Sequence, residues 1–155
     1  MLFIHNRKVK SCDAPSIRRQ FGRSFEQDSR TARIIDWYIE DTSEHRFCSI
    51  KDFADEVMEQ LSTKYLPIKC THISYPGPYT IVMSGSRRTD ADRANQEARL
   101  QYTPGGYTWH HRENVLFYSR DHIECNMYLL DSNYHRLPHS GGVQEYERHT
   151  GRTSH

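Results

Sequence analysis

Four histidines in the last third of this 155-residue chain, His110, His111, His135 and His139, are spaced as metal-binding and proton-moving groups would be. His110 and His111 end the run Tyr107-Thr108-Trp109-His110-His111, which has strand composition. Neighbouring side chains on a regular strand point to opposite faces, so these two imidazoles serve two different jobs. His135 and His139 stand at i and i+4, after Asp131 or Ser132 as a helix cap. On a helix they share one face and can share one metal ion. Neutral imidazoles hold a divalent ion without cancelling its charge, which leaves it a strong Lewis acid toward a phosphate oxygen. A further histidine, off the metal, titrates near neutrality and can take a proton from water. The chemistry this set suits is metal-assisted hydrolysis of a phosphodiester.

The spacing narrows that reading. His111 to Asn126 is 15 residues, Asn126 to His135 is nine, and His135 to His139 is four. This pattern resembles the His-Asn-His, or ββα-metal, nuclease motif in the form carried by colicin-type DNases. The run Tyr-Thr-Trp-His-His, then Met127-Tyr-Leu-Leu, then His135 and His139-Ser-Gly-Gly resembles most closely the Trp-His-His branch of that endonuclease VII superfamily. Met83-Ser-Gly-Ser-Arg87, Asp90, Ala94-Asn95 and Pro104-Gly-Gly-Tyr107 are similar to the lead-in of such domains, so the resemblance covers roughly residues 80–143. Two features depart from the pattern. The stretch Arg112–Cys125 is longer and more apolar than the usual compact loop, with Val115-Leu116-Phe117-Tyr118 able to extend a hairpin. Pro138 lies between two of the histidines, which implies either a single helical turn there or His139 just past a kink.

The resemblance implies roles residue by residue. His110, His135 and His139 would hold one divalent metal ion, zinc as bound, with magnesium, manganese or nickel as alternatives for activity. His111 would be the general base and Asn126 would brace the inter-strand loop and help hold that base. Ser140-Gly141-Gly142 would close the helix and let backbone approach the substrate, and Arg87 would clamp a phosphate. It further implies a DNA-cutting toxin domain of interbacterial competition, delivered by a bacterial secretion system, acting in the target-cell cytoplasm and matched by a cognate immunity protein. Two other readings stay open at this point: cleavage of RNA, such as transfer RNA, by the same site, and a non-enzymatic zinc-stabilised binding module.

The elements that must position these residues give an α+β expectation: a C-terminal ββα-metal finger packed on an N-terminal, mostly helical region with short strands. The expected division is residues 1–78, then a nuclease domain over 79–146, then a frayed polar tail over 147–155. Ser49 and Asp52 have capping-box spacing, and Ile50, Phe53, Ala54, Val57, Met58, Leu61 and Tyr65 recur at helical intervals. That predicts an amphipathic helix over about 50–65, ended by Leu66-Pro67. Tyr79–Met83 reads as a strand after the Pro76-Gly77-Pro78 turn. Thr89 or Asp90 is positioned to cap a helix running to about Leu100, with Ala91, Ala94 and Ala98 on a close-packing face. Thr103-Pro104-Gly105-Gly106 is a turn, and Asn126–Leu130 a further strand. Trp109 and Cys125 read as core packing.

Composition sets outer limits. Net charge is +1 and hydrophobic residues are 35% of the chain, so no global basic field announces a polyanion partner and the core is small and tyrosine-rich. The first 33 residues carry eight Lys/Arg against three acids, a basic arm that is either solvated or grips phosphates. Cys12, Cys48, Cys70 and Cys125 are scattered without a CxxC pair, which argues for reduced thiols rather than a disulfide framework or a cysteine zinc ribbon. No stretch is apolar for long enough to span a bilayer, and Met1–Lys10 is too short in apolar run for a secretory signal. No membrane partner is expected.

Overall fold

The computed structural model describes residues 64–137 and 139–155, together with Asp55, Val57, Glu59 and Gln60. The chain divides into two compact units, Met1–Lys64 and Tyr65–His155. Within the first, Asp55, Val57, Glu59 and Gln60 are helical, as the 50–65 periodicity predicts, and Val57 is fully buried. Lys64 and Tyr65, at the end of the expected span, are described and are not helical, Tyr65 forming an isolated bridge with Ser140. The other residues of that span, the basic arm and the 33–40 segment fall outside the described residues, as does Pro138.

The second unit is α+β. Its elements in chain order are β1 (Tyr79–Val82), α1 (Arg87–Glu97), β2 (Tyr107–His111), β3 (Leu116–Ser119), β4 (His122–Asp131), α2 (Ser132–His135) and α3 (Gly142–Thr150). β4 is the organising strand of an antiparallel sheet. One flank takes β1, in the register Tyr79↔Met127 to Val82↔Glu124. On another, β2 runs from Tyr107↔Asp131 to His111↔Met127, and β3 pairs with the start of β4 through Leu116↔Glu124 and Phe117↔Ile123. Leu116–Ser119 therefore does extend the hairpin. The strand expected over Asn126–Leu130 begins earlier, at His122, because its first residues pair with β1 and β3.

Period-two alternation decides which side chains meet. Cys125, Met127 and Leu129 of β4 and Trp109 of β2 point into one core with Ile81, Met83, Ala94, Ala98 and Tyr146. Truncating a fully buried member such as Leu129 to alanine would cost about 2–5 kcal/mol. The indole N–H of Trp109 is satisfied by Asn95 Oδ1 of α1 at 2.8 Å, so the tryptophan locks the sheet onto that helix.

Three local expectations are corrected. α1 is capped by Ser86, whose Oγ accepts from Thr89 N at 3.3 Å; Asp90 lies inside the helix and is buried. Glu147–Thr150, expected as part of a frayed tail, form the last turns of α3, because Val143, Tyr146 and Thr150 bury one face and Gly151 closes the helix with φ +69°. The last residues beyond it are also tied down: His155 N donates to Gly85 O at 3.0 Å and its carbonyl accepts from Arg87 N. Finally, α2 stops at His135, so the two C-terminal histidines do not share a helical face.

Candidate metal and catalytic site

β2 delivers His110 and His111 to opposite faces, as adjacent strand residues must be. His110 is 1% exposed. Its ring meets that of His135 at 5.4 Å between centroids and that of His139 at 5.1 Å, while His135 and His139 are 4.8 Å apart. One ligand nitrogen from each of the three lies within 4.8 Å of the others. His135 is set by the single turn of α2, whose N-terminus is fixed by Asp131 Oδ1 accepting from Asn133 N at 2.8 Å and Tyr134 N at 3.3 Å. Buried Tyr134 then anchors the turn through its hydroxyl to Pro67 O at 2.7 Å. His139 arrives from the loop after the helix. Its Nδ1 faces the Leu137 carbonyl; a carbonyl only accepts, so Nδ1 carries the proton and Nε2 holds the free lone pair.

Three observations fit this trio to a divalent ion. Among the described residues, His110 Nε2 is buried without a hydrogen-bond partner. Such an orphan is disfavoured by about 1–3 kcal/mol, a penalty that a metal ligand bond removes. Burial, with the neighbouring imidazoles adding to it, pushes the His110 pKa down to about 3. Burial and the charges of His139, His111 and Arg87 hold His135 at about 4. Both imidazoles are therefore neutral at pH 7, the form in which histidine binds a metal. Third, the cluster has three members among the described residues, which is the ligand count of an open catalytic site rather than of a closed structural one.

His111 has a different partner. Its Nε2 is 2.9 Å from Asp90 Oδ2, with the two side chains 8% and 1% exposed. A carboxylate only accepts, so Nε2 carries the proton and Nδ1 keeps the lone pair, a base oriented by an acid. Asp90 is held in turn: Ser84 N and Ser84 Oγ both donate to its Oδ1 at 2.8 Å. Burial alone would raise the Asp90 pKa, but the hydrogen bonds from His111 and Ser84 outweigh it and the net shift is downward. The sequence places Asp90 near the start of a helix but gives no sign that it pairs with His111, 21 residues on.

Gly141 and Gly142 are required by close approach to the end of β2. A Cβ on Gly141 would stand 2.5 Å from His111 O and 3.4 Å from His110 Cε1; one on Gly142 would stand 2.6 Å from Arg112 O. The pair starts α3 instead of closing α2, and lets that helix press against the end of β2. Gly141 N donates to Gln144 Oε1 at 2.7 Å, which caps the new helix.

The histidines open into a cavity of about 420 Å³ lined by Arg87, His110, His111, His135, His139 and Gly141. Arg87, the exposed first residue of α1, is thus at the site, as a phosphate clamp requires. Asn126 is elsewhere. Its exposed side chain accepts from Thr80 Oγ1 at 2.8 Å, on the β1 side of β4, rather than bonding to His111. Its backbone carbonyl does accept from Arg112 N at 3.0 Å, so Asn126 steadies β2 one residue beyond His111 through its main chain. Off the site, His122 faces Glu124 at 3.5 Å and His149 stacks on Phe117.

A three-imidazole cluster beside a histidine paired with a buried acid thus lies on two antiparallel strands and a helical turn, in a ββα arrangement. Residues 100–149 match the family model described as a nuclease of the HNH/ENDO VII superfamily with conserved WHH, and Trp109-His110-His111 falls within the match. Over that segment the chain matches this nuclease family, a family whose substrate class is nucleic acid. No curated protein and no solved structure gives a significant match to the chain. Among the described residues, no helix is long and apolar enough to cross a membrane.

Proposed function

We propose that this chain is a metal-dependent endonuclease that hydrolyses DNA, with His110, His135 and His139 as metal ligands and His111 as general base. The observation that carries the proposal is the pairing of two arrangements across one strand: an imidazole trio that includes the unpartnered His110 Nε2 on one side of β2, and the Ser84–Asp90–His111 relay on the other. A divalent ion on the trio would supply Lewis-acid stabilisation of the charge that develops on the phosphate and leaving oxygen. His111 Nδ1 takes a proton from the attacking water, and Asp90 stabilises the imidazolium that results. Ser84 keeps the second carboxylate oxygen of Asp90 occupied, so the first stays aimed at His111. Arg87 binds a phosphate oxygen at the cavity mouth. Asn126 contributes by tying Arg112 and thereby the end of β2.

The choice of DNA over RNA, delivery by a bacterial secretion system as a competition toxin, and inhibition by a cognate immunity protein are proposed from the resemblance to colicin-type and polymorphic-toxin nucleases. The test is incubation of the purified chain with supercoiled plasmid and with transfer RNA, each with and without chelator. Plasmid nicking that chelator abolishes and zinc, magnesium, manganese or nickel restores supports the proposal. RNA cutting that survives chelator and leaves a 2′,3′-cyclic phosphate would move the function to RNA.

A further inference from the structure

A second cavity, of about 310 Å³, lies on the other side of α1 and contains none of the histidines assigned above to base or metal; of the relay, only Ser84 lines it. Its walls carry three arginines from three separate elements: Arg93 of α1, Arg120 of the β3–β4 turn, and Arg152 after α3. Each guanidinium is fixed by a protein oxygen. Arg93 Nη1 donates to Val82 O at 2.6 Å, Arg120 Nη2 to Thr150 O at 2.8 Å, and Arg152 Nη2 to Asp121 Oδ1 at 3.1 Å. Two of these three acceptors are neutral carbonyls, which orient a guanidinium without cancelling its charge. The one carboxylate on the walls, Asp121, is 83% exposed. Three positive side chains against one negative leave a formal charge of +2 in the cavity. Each guanidinium has five N–H donors and has spent few of them on these bonds.

We infer that this arginine pocket binds a backbone phosphate of the nucleic-acid substrate at a position away from the scissile bond. The inference rests on the nuclease reading and deepens it. Pre-oriented guanidiniums with spare donors match the oxygens of a phosphodiester, which accept in a fork geometry. The pocket and the catalytic cavity are linked by hydrogen bonds: Ser84 lines the former and bonds Asp90, which pairs with His111 in the latter. A ligand with repeated charges along its length can occupy both, whereas a single small anion cannot. A protein with a net charge of only +1 has no global field to hold DNA, so a focused cluster is where affinity must come from.

The test uses the full chain with chelator present, so that binding is read without cutting. Fluorescence anisotropy of a short labelled duplex is measured over a salt series for wild type and for the Arg120→Gln/Arg152→Gln double variant. Loss of the one phosphate contact the pocket makes lowers the slope of log K against log salt by about 0.9, so the double variant should lose about 0.9. With metal restored, hydrolysis of bis(4-nitrophenyl) phosphate, which has one phosphate and fills only the catalytic cavity, should be unchanged within about twofold for this variant. An unchanged salt slope overturns the inference. So does inorganic phosphate raising the melting temperature of wild type but not of the variant while the duplex slope stays the same, because the pocket is then a small-anion site. Should the double variant fail to fold, Arg120→Gln alone, at an exposed side chain, carries the test with a fall in slope of the same sign and no more than about 0.9. Absence of cutting by wild type would sink the nuclease reading and leave the slope comparison to decide the arginine site.

Discussion

Replacing Asp90 with asparagine probes the relay without changing its volume. Ser84 N and Oγ both donate to Asp90 Oδ1, and in the Asp90→Asn variant those two donors will hold the amide oxygen in that position. The amide nitrogen is then directed at His111 Nε2, where Asp90 Oδ2 sits 2.9 Å away in the native protein. An amide N–H₂ only donates, so Nε2 must become the acceptor and the imidazole proton must move to Nδ1. The lone pair that takes the proton from water is lost, and no carboxylate remains to stabilise the imidazolium. Loss of the wrong-tautomer kind in a His–Asp pair lowers turnover by about 10²–10⁴. Stability should fall by about 1–3 kcal/mol, because one charge-assisted bond in a buried pair is replaced by a neutral one. The assay is initial-rate plasmid nicking with the metal saturated, together with metal stoichiometry. Turnover should drop with metal content intact, and Ser84→Ala should lower it less, since Ser84 N still holds Oδ1. An Asp90→Asn protein that cuts at close to the wild-type rate would refute the orientation argument.

In metal-free protein, stability should fall as pH drops below about 6.5 and continue to fall toward 4, with a slope on the order of 1–3 kcal/mol per pH unit. The sign follows from His110 and His135: their folded pKa values lie at about 3 and about 4, so in that window the unfolded chain binds protons that the folded one refuses. Thermal melts across pH check this, and a flat profile contradicts it. Gly141→Ala should cost both stability and cutting, by about 1–3 kcal/mol in melts, since its Cβ would stand 2.5 Å from the His111 carbonyl. Asn126→Ala should change nicking by less than about tenfold, because the bond from Arg112 N uses a carbonyl that the substitution keeps; the side chain is exposed, where substitutions typically cost within about 0.5 kcal/mol. A larger loss would mean that the Asn126 side chain reaches the site during turnover.

The residues that meet at the site are largely legible in the chain, because histidine spacing is a local signal and strand alternation alone separates His110 from His111. The route by which His139 gets there is not. An i, i+4 pair implies a shared helical face only if the helix continues, and α2 stops at His135. Asp90 illustrates a different limit. A carboxylate in the first turn of a helix looks like a cap, and only the tertiary packing of α1 on the sheet turns it toward His111. The glycine pair reads as a close-approach device, but nothing in the sequence says that α3 starts there and packs on the end of β2. The helical character of the tail is present in the spacing of Val143, Tyr146 and Thr150 with Gly151 behind them, and the polar composition around them masks it. Fold class is the easiest part, since short alternating strands flanking two capped helical segments admit few architectures other than α+β.

The most direct test of the central claim is a paired measurement on His111→Ala: metal bound per chain, and rate of plasmid nicking. If His110, His135 and His139 hold the ion and His111 supplies the base, the variant keeps its metal and loses about 10²-fold or more of its nicking rate. A variant that releases the metal, or one that cuts at the wild-type rate, would contradict this division of labour between the two faces of β2.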